Sequence, residues 1–415
     1  MTRRRVVVTG LGVLSPVGKD VPTTWRALLA GCSGSGPISR FDASAFPVRF
    51  AAEVKGFDPL EYMDRKEARR ADPYVQYAMA AAVEAMTDAG FGDGTGFDPE
   101  RCAVVVGSGI GGVATFEEQH DAYRDQGPRR VSPFFVPMFI TDIAAGMISM
   151  RYGAKGPNYA TVSACATGAH AIGSGFRMIQ YGDADVALCG GAEATITPMG
   201  VGGFASMKAL SERNDSPATA SRPFDATRDG FVLGEGAGIV VLEELGHARR
   251  RGARIHAEIV GFGATGDAHH LTAPAPGGEG AQRAMRVALA DAGLALDEVQ
   301  YVNAHGTSTP TGDASETQAI KGVFGEHARA INVSSTKSAT GHMLGAAGGA
   351  EFVFTTLAVR DAVIPPTINY TTADPACDLN YTPNVPVERE VTAALSNSFG
   401  FGGHNAALAV RRFED

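Results

Sequence analysis

The sequence predicts an α/β protein made of two similar halves that pack as a five-layer α-β-α-β-α sandwich. Three observations support this prediction. Short patterns recur in the same order in both halves of the 415-residue chain, strand patterns alternate with helical ones, and two Ala/Gly-rich helical patterns have no polar face. Helices without a polar face are buried, so we expect them between the β-layers, with the site at the junction of the halves.

Four repeats indicate the duplication. They pair the strands that begin at Val6 and Ala257, the helices that end in Asp-Ala-Gly at Gly90 and Gly293, the Ala-Thr-Gly sequences at Ala166 and Ala339, and the strands at Val186 and Ala394. In the third pair, each Ala-Thr-Gly sequence is predicted to open a buried helix. We therefore divide the chain near Gly252 into an N-terminal half, 1–252, and a C-terminal half, 253–415.

Composition limits the class of protein. The chain is 44% hydrophobic and 20% charged, which is typical of a globular protein. A net charge of −9 disfavours nucleic acid as a partner. No apolar run approaches the roughly 18–20 residues that cross a bilayer, and no signal-peptide pattern follows the basic start. We expect a cytoplasmic protein without a membrane segment.

Cys165 is the candidate nucleophile. The chain has five scattered cysteines and no Cys-x-x-Cys pair, which disfavours both a disulfide frame and a structural zinc site. Residues 161–175 read as a strand, a sharp turn and a Gly-rich buried helix, with Cys165 at the helix N-terminus. Helix N-termini lower the pKa of a thiol, and the thiolate is the form that attacks a thioester. The sequence therefore predicts a reactive thiolate at Cys165.

Two of the ten histidines, His305 and His342, lie at the end of an apolar strand and in a Gly loop. The duplication places both loops at the same junction, where neutral imidazole N–H groups would stabilise negative charge on a carbonyl oxygen. A metal site is the rival interpretation. It is disfavoured because no third ligand follows at a suitable spacing.

Lys337 lies five residues before His342 in an apolar, Gly-rich segment. A buried ammonium needs a charge partner, and Glu351 and Glu316 are both candidates. The cation would keep His342 neutral, because like charge disfavours imidazolium. A solvated loop lysine is an equally acceptable interpretation from spacing alone.

Residues 107–112 match Gly-x-Gly-x-x-Gly after a strand, the pattern of a dinucleotide-binding loop. The acidic residue that should end a second strand about 20 residues later is absent. We therefore predict that this tight loop lines an acyl pocket instead.

Four motifs in order resemble the β-ketoacyl-acyl carrier protein synthases, most closely the type II elongating enzymes of dissociated fatty acid synthesis. They are Val162-Ser-Ala-Cys-Ala-Thr-Gly, Asn303-Ala-His-Gly-Thr-Ser-Thr, Lys337-Ser-Ala-Thr-Gly-His and Asn397-Ser-Phe-Gly-Phe-Gly-Gly. The resemblance covers essentially the whole chain. It implies the thiolase fold, a homodimer, acyl carrier protein as partner, and no metal or organic cofactor.

The resemblance also implies a role for each site residue. Cys165 carries the acyl group, His305 and His342 assist malonyl decarboxylation, Lys337 supports them electrostatically, and the backbone N–H groups of Cys165 and Phe401 form the oxyanion hole. Phe401 is also the gate of the acyl pocket. The implied substrate-binding residues are Ile110, Thr307, Thr309, Phe399 and Glu351. The implied carrier-docking residues are Arg65, Lys66, Arg69, Arg70 and Lys208.

Three other functions are found among proteins related to this family. A thiolase would carry a second catalytic cysteine in a Cys-x-Gly loop, which Cys377 does not provide. A polyketide ketosynthase would share every catalytic residue and is the main alternative. A non-catalytic partner subunit that sets chain length would usually lack the nucleophile. His404, which follows the last Gly-Gly where many relatives carry Thr, leaves the preferred acyl length open.

Overall fold

The computed structural model describes residues 3–414, so Met1, Thr2 and Asp415, which belong to the two proposed halves, lie outside the described residues. Between residues 3 and 414, none of the helices combines the length and the hydrophobicity that a bilayer-spanning segment needs.

The described residues form fourteen strands and thirteen α-helices, joined by loops and short 3₁₀ turns. The strands are β1 (Val6–Leu14), β2 (Gly36–Pro37), β3 (Phe50–Ala51), β4 (Cys102–Gly107), β5 (Asn158–Tyr159), β6 (Val186–Glu193), β7 (Gly236–Glu244), β8 (Ala257–Gly266), β9 (Tyr301–Asn303), β10 (Asn332–Ser334), β11 (Val363–Ile364), β12 (Val387–Glu388), β13 (Ala393–Gly400) and β14 (His404–Arg411). The helices are α1 (Val21–Leu29), α2 (Arg65–Ala68), α3 (Pro73–Asp88), α4 (Val113–Gln126), α5 (Phe135–Phe139), α6 (Ile143–Tyr152), α7 (Thr167–Tyr181), α8 (Pro198–Ser206), α9 (Leu245–Arg250), α10 (Glu279–Ala292), α11 (Pro310–Phe324), α12 (Lys337–Thr340) and α13 (Ala347–Asp361).

Ten strands form one mixed sheet in the order β10-β9-β13-β14-β8-β1-β7-β6-β4-β5. The order is symmetric about its centre, because β8 and β1, β14 and β7, β13 and β6, β9 and β4, and β10 and β5 occupy equivalent places. The two halves meet at the antiparallel pair β1 and β8, which are in register from Val6 opposite Ile259 to Val8 opposite Ala257. The predicted β-layers of the two halves are therefore joined by a three-residue ladder.

The five-layer arrangement follows from the helices. Helix α3 packs on β1 and β7, whereas α10 packs on β8 and β14. Helices α7 and α13 lie in the middle and contact strands of both halves. Residues Ala347 to Val359 of α13 are all buried, which agrees with the predicted helix that lacks a polar face.

Small residues allow the two central helices to approach closely. A Cβ atom added at Gly168 of α7 would lie 2.5 Å from the backbone nitrogen of Gly349 in α13. Any larger residue at Gly168 would force the helices apart, and both helices start directly at the predicted site.

One of the four repeats is wrong in detail. The Ala-Thr-Gly sequence at Ala339 closes the four-residue helix α12 and does not open the long helix, which starts at Ala347. The structural counterpart of the Cys165 turn is the 3₁₀ turn Leu344–Ala346, since both turns directly precede a central helix. Both also begin with a non-glycine residue at positive φ, 50° at Ala164 and 46° at Leu344.

Candidate active site

Three side chains from the two halves converge beside the central helices. The Sγ atom of Cys165 lies 2.9 Å from Nε2 of His342, and the ring centroids of His305 and His342 are 5.3 Å apart. One ligating atom from each of the three residues lies within 4.8 Å of the others. The predicted convergence of the Cys165, His305 and His342 side chains is therefore observed.

Cys165 lies in the 3₁₀ turn Ala164–Ala166 that leads into α7. Gly400 packs against this turn, because a Cβ atom there would lie 2.6 Å from the carbonyl oxygen of Ser163 and 3.1 Å from the nitrogen of Cys165. Phe401, the next residue, lines the same cavity as Cys165. A chain segment from the C-terminal half therefore closes over the nucleophile.

The prediction of a lowered thiol pKa at Cys165 is wrong. Burial raises the pKa of Cys165 to about 12, and Glu193 and Glu351 act in the same direction. The Lys337 charge and the Phe401 N–H oppose this rise without cancelling it. Burial is the largest of these effects and penalises the anion, so the resting residue is a thiol.

Backbone contacts fix the position of His342. Its N–H donates to the carbonyl oxygen of Val232 at 2.7 Å, and its own carbonyl accepts from the N–H of Gly234 at 2.9 Å. The ring of Phe231 meets the imidazole edge-on, with centroids 5.4 Å apart. Burial first and the Lys337 charge second hold the pKa of His342 well below its usual range, which confirms the prediction of a neutral ring.

His305 follows β9 and is anchored by Glu316 of α11. The two Glu316 carboxylate oxygens accept the backbone N–H groups of His305 and Gly306, at 2.9 and 2.7 Å. Burial first, and then the Lys337 charge, lower the pKa of His305 well below its usual range. Both histidines therefore present neutral imidazoles.

Lys337 is buried at the start of α12, and its Nζ lies 2.5 Å from Oε1 of Glu351. The structure therefore selects Glu351 rather than Glu316 as its partner and rejects the solvated-lysine interpretation. Neither Lys337 nor Glu351 is part of the cavity wall, and the substrate-binding role of Glu351 stays a prediction.

The site opens into a cavity of about 400 Å³. Residues of the cavity wall include the predicted Thr307, Thr309, Phe399, Phe401 and Lys208. The hydroxyl oxygens of Thr307 and Thr309 are 3.1 Å apart. These residues line the same cavity as Cys165 and His305, and their substrate-binding and docking roles stay predictions.

Ile110 is not part of this cavity wall, and its side chain is 38% exposed. Its Gly-rich loop surrounds the buried carboxylate of Glu193, which accepts from the N–H of Gly109 at 2.8 Å and from the hydroxyl of Ser108 at 2.7 Å. The loop N–H groups thus bind an internal anion, which explains the dinucleotide-like pattern. The acyl-pocket role of Ile110 stays a prediction.

The loop that carries Phe401 is tied to residues 267–275. The N–H of Gly402 donates to the carbonyl oxygen of Leu271 at 2.7 Å, and the N–H of Asp267 donates to the carbonyl oxygen of Gly403 at 2.9 Å. Gly402 and Gly403 have φ values of 86° and 73°, which favour glycine. His404 is the exposed first residue of β14, opposite Gly400 in the ladder.

Four of the five predicted docking residues lie on or beside α2, which is capped by Asp64, whereas Lys208 follows α8 and lines the cavity. Arg65, Lys66, Arg69 and Arg70 are all exposed. The guanidinium of Arg70 lies 4.1 Å from the ring centroid of Phe134. The four cations therefore form an accessible basic surface.

Sequence reasoning missed three contributors to the site: Glu193, Phe231 and His170 as a partner of Ser163. Glu193 carried a readable signal, because it is a carboxylate at the end of the otherwise apolar strand β6. Ser163 and His170 are only seven residues apart, on either side of the Cys165 turn, whereas Phe231 and His342 lie in segments with no recognisable relationship in sequence.

Together, the duplicated halves and the Cys-His-His site at their junction define a condensing enzyme of the thiolase fold. Residues 3–248 match the family model described as "Beta-ketoacyl synthase, N-terminal domain", and residues 256–371 match "Beta-ketoacyl synthase, C-terminal domain". The chain belongs to the β-ketoacyl synthase family.

Full-length relatives agree with this assignment. The chain is 54% identical over 413 residues to the "3-oxoacyl-[acyl-carrier-protein] synthase 2" of Staphylococcus aureus, covering 99% of each chain. It is 53% identical over 415 residues to the protein of the same description from Coxiella burnetii, covering 100% of each.

Solved structures show the same fold. A β-ketoacyl synthase from Burkholderia phymatum superposes with a TM-score of 0.92 at 38% identity, covering 99% of this chain and 100% of that one. A ketosynthase described in complex with a type II PKS acyl-carrier protein and bound to the hexaketide has a TM-score of 0.92 at 35% identity, with the same coverage.

Proposed function

We propose that the protein catalyses the decarboxylative Claisen condensation of fatty acid elongation. An acyl group held as a thioester on Cys165 is joined to malonyl-acyl carrier protein, which yields 3-oxoacyl-acyl carrier protein and carbon dioxide. The observation that carries the proposal is the 2.9 Å contact between Cys165 Sγ and His342 Nε2, in a cavity that also holds His305.

In the first half-reaction, Cys165 Sγ attacks the carbonyl carbon of an acyl thioester. The thiol proton leaves Cys165 as the new C–S bond forms, and it ends on the departing carrier sulfur. The N–H groups of Cys165 and Phe401 are the proposed oxyanion hole, since both residues line the same cavity. Because the resting thiol is protonated, no charge has to be buried before substrate binds.

In the second half-reaction, the C–C bond to the malonyl carboxylate breaks and carbon dioxide leaves. The electron pair becomes an enolate, whose oxygen accepts from the N–H groups of His305 and His342. The enolate carbon attacks the acyl carbonyl, and Cys165 departs and takes up one proton. Neutral imidazoles suit this role because each can donate an N–H to the enolate oxygen. The Lys337 charge helps to keep both rings neutral.

The experiment that tests this proposal compares Cys165→Ala with Cys32→Ala, whose parent thiol is exposed. Cys165→Ala should lower condensation of acyl and malonyl carriers by at least about three orders of magnitude, whereas Cys32→Ala should leave it unchanged. Cys165→Gln should retain malonyl decarboxylation, since both imidazoles remain. Normal condensation by Cys165→Ala would overturn the proposal.

A second candidate is the ketosynthase of a type II polyketide pathway, because structural neighbours of this chain carry that description. The two functions share the chemistry and differ in what happens to the product. Mass spectrometry with carriers loaded with saturated chains of increasing length separates them. Repeated extension of an unreduced 3-oxo product would favour the polyketide function.

We also propose that the protein is a homodimer. Strand β5 is the end strand of the described sheet, and nearby segments expose large apolar side chains. They are Phe116, Tyr123, Phe134, Val136, Phe139, Ile140, Met150, Tyr159 and Val162. A second copy is the occupant that suits both features, because two β5 edges related by a two-fold axis can pair while these side chains are covered.

Sedimentation equilibrium tests the homodimer. Tyr159→Pro combined with Val162→Glu should give monomers, whereas Leu296→Glu, at an exposed leucine elsewhere, should leave the assembly unchanged. A wild-type protein that sediments as a monomer would refute this part of the proposal. The cytoplasmic location stays a prediction, which fractionation of cells that express the protein would check.

A further inference from the structure

The Cys165, His305 and His342 side chains form more than a catalytic arrangement. One sulfur and two imidazole nitrogens lie within 4.8 Å of one another and face the cavity. One thiolate with two imidazoles is a ligand set typical of zinc and other thiophilic divalent cations. No third ligand follows the two histidines in the sequence, but the fold supplies one in Cys165.

We propose that Cys165, His305 and His342 also bind a thiophilic divalent cation such as Zn²⁺, reversibly and in competition with the acyl group. The bound cation would inhibit the enzyme, because one of its ligands, Cys165, is the nucleophile.

The pair Cys165 and His342 requires only a small adjustment, and all three ligand atoms lie within 4.8 Å of one another. Zinc bonds of about 2.3 Å to sulfur and about 2.0–2.1 Å to nitrogen place tetrahedral ligands roughly 3.5 Å apart. The Sγ to Nε2 separation of 2.9 Å therefore has to widen by about half an ångström. The cavity of about 400 Å³ admits the cation and leaves space for a water molecule as fourth ligand.

Binding is a ligand exchange without any redox change. The S–H bond of Cys165 breaks, a sulfur–metal bond forms, and the proton passes to solvent. Each imidazole contributes a nitrogen lone pair. Acylation of Cys165 consumes the same sulfur electron pair, so the acyl group and the cation exclude each other.

Two features limit the affinity. Within the described chain, Nδ1 of His305 and Nδ1 of His342 have no hydrogen-bond partner. Metal-binding histidines usually donate their second N–H to a carboxylate or carbonyl, and loss of such a partner weakens binding about 10- to 100-fold. Lys337 adds a buried positive charge behind the site. A reversible inhibitory site, rather than a resident metal centre, follows from these features.

Titration of the full-length protein with Co²⁺ tests the inference independently of activity. The wild type should develop a thiolate-to-cobalt charge-transfer band that Zn²⁺ abolishes by displacing the Co²⁺. Cys165→Ala and Cys165→Ser should lack the band, and the matched control Cys32→Ala, at an exposed thiol, should keep it. His342→Ala should bind Co²⁺ at least about tenfold more weakly.

A wild type without the band, or a band that persists in Cys165→Ala, would overturn the inference. In the activity assay, Zn²⁺ should inhibit the wild type, and a chelator should restore it. Protein acylated in advance should resist Co²⁺. Because the spectrum requires no turnover, this result is separate from success or failure of the proposed condensation.

Discussion

Nζ of Lys337 lies 2.5 Å from Oε1 of Glu351, and both side chains are almost completely buried. Burial raises the pKa of Glu351 to about 7, while the Lys337 charge opposes that rise. The same ammonium helps to keep His305 and His342 neutral. One ion pair thus serves the stability of the core and the electrostatics of the site, and substitutions can separate the two roles.

Lys337→Met should destabilise the fold by about 3 kcal/mol or more, because it leaves a buried carboxylate without its partner. Lys337→Met combined with Glu351→Leu should recover most of that stability while kcat stays at least about tenfold below the wild type. Urea unfolding and steady-state kinetics measure the two effects. Recovery of kcat in the double variant would reduce the pair to a structural role.

Glu316→Gln should displace His305, because an amide can accept only one of the two backbone N–H groups that the carboxylate accepts. We expect kcat to fall about 10- to 100-fold and KM for the carrier to change little. Glu326→Gln, at an exposed acid beyond the same helix, is the matched control. A rise in KM with unchanged kcat would contradict this positioning role.

His170 should make stability fall in mild acid. Burial lowers its pKa from 6.5 to about 4, and its Nδ1 lies 2.7 Å from the hydroxyl of Ser163, beside the nucleophile turn. The folded chain keeps this ring neutral while the unfolded chain takes up a proton, so stability is lost as the pH drops from about 6.5 towards about 4. The contribution is at most about 3 kcal/mol.

Urea unfolding at a series of pH values checks the His170 contribution. His170→Gln should flatten the decline, whereas His269→Gln, at an exposed histidine, should keep the wild-type slope. If stability declined equally steeply with falling pH in the wild type and in His170→Gln, the acid sensitivity would belong to other groups. His305 and His342 are two such groups, because their pKa values are also lowered in the folded chain.

Charge reversal on α2 should weaken binding of an acidic carrier. Lys66→Glu combined with Arg69→Glu should raise KM for the carrier at least about tenfold without changing kcat. Added salt should likewise raise KM for the carrier in the wild type, because it screens the same charges. Lys19→Glu, at an exposed lysine outside this cluster, is the control. An unchanged KM would remove the docking role.

The sequence alone determined the duplicated α/β architecture, the two buried central helices and the identity of Cys165, His305, His342 and Lys337. These features depend on local patterns: apolar periodicity, Gly-x-Gly strand ends and short motifs that repeat in order. The wrong assignment of the third repeat also had a local cause. Ala-Thr-Gly at Ala339 has the same sequence as the residues that follow Cys165, whereas Leu344–Ala346 has the same backbone conformation as the Cys165 turn.

Only the tertiary structure decided the charge state of Cys165, the partner of Lys337 and the role of Glu193. The position of Cys165 before a helix predicted a thiolate, but burial, together with Glu193 on β6 and Glu351 on α13, raises the thiol pKa to about 12. Desolvation and Coulomb interactions depend on everything that surrounds a group in space, and for this site most of the surroundings come from segments far apart in the chain.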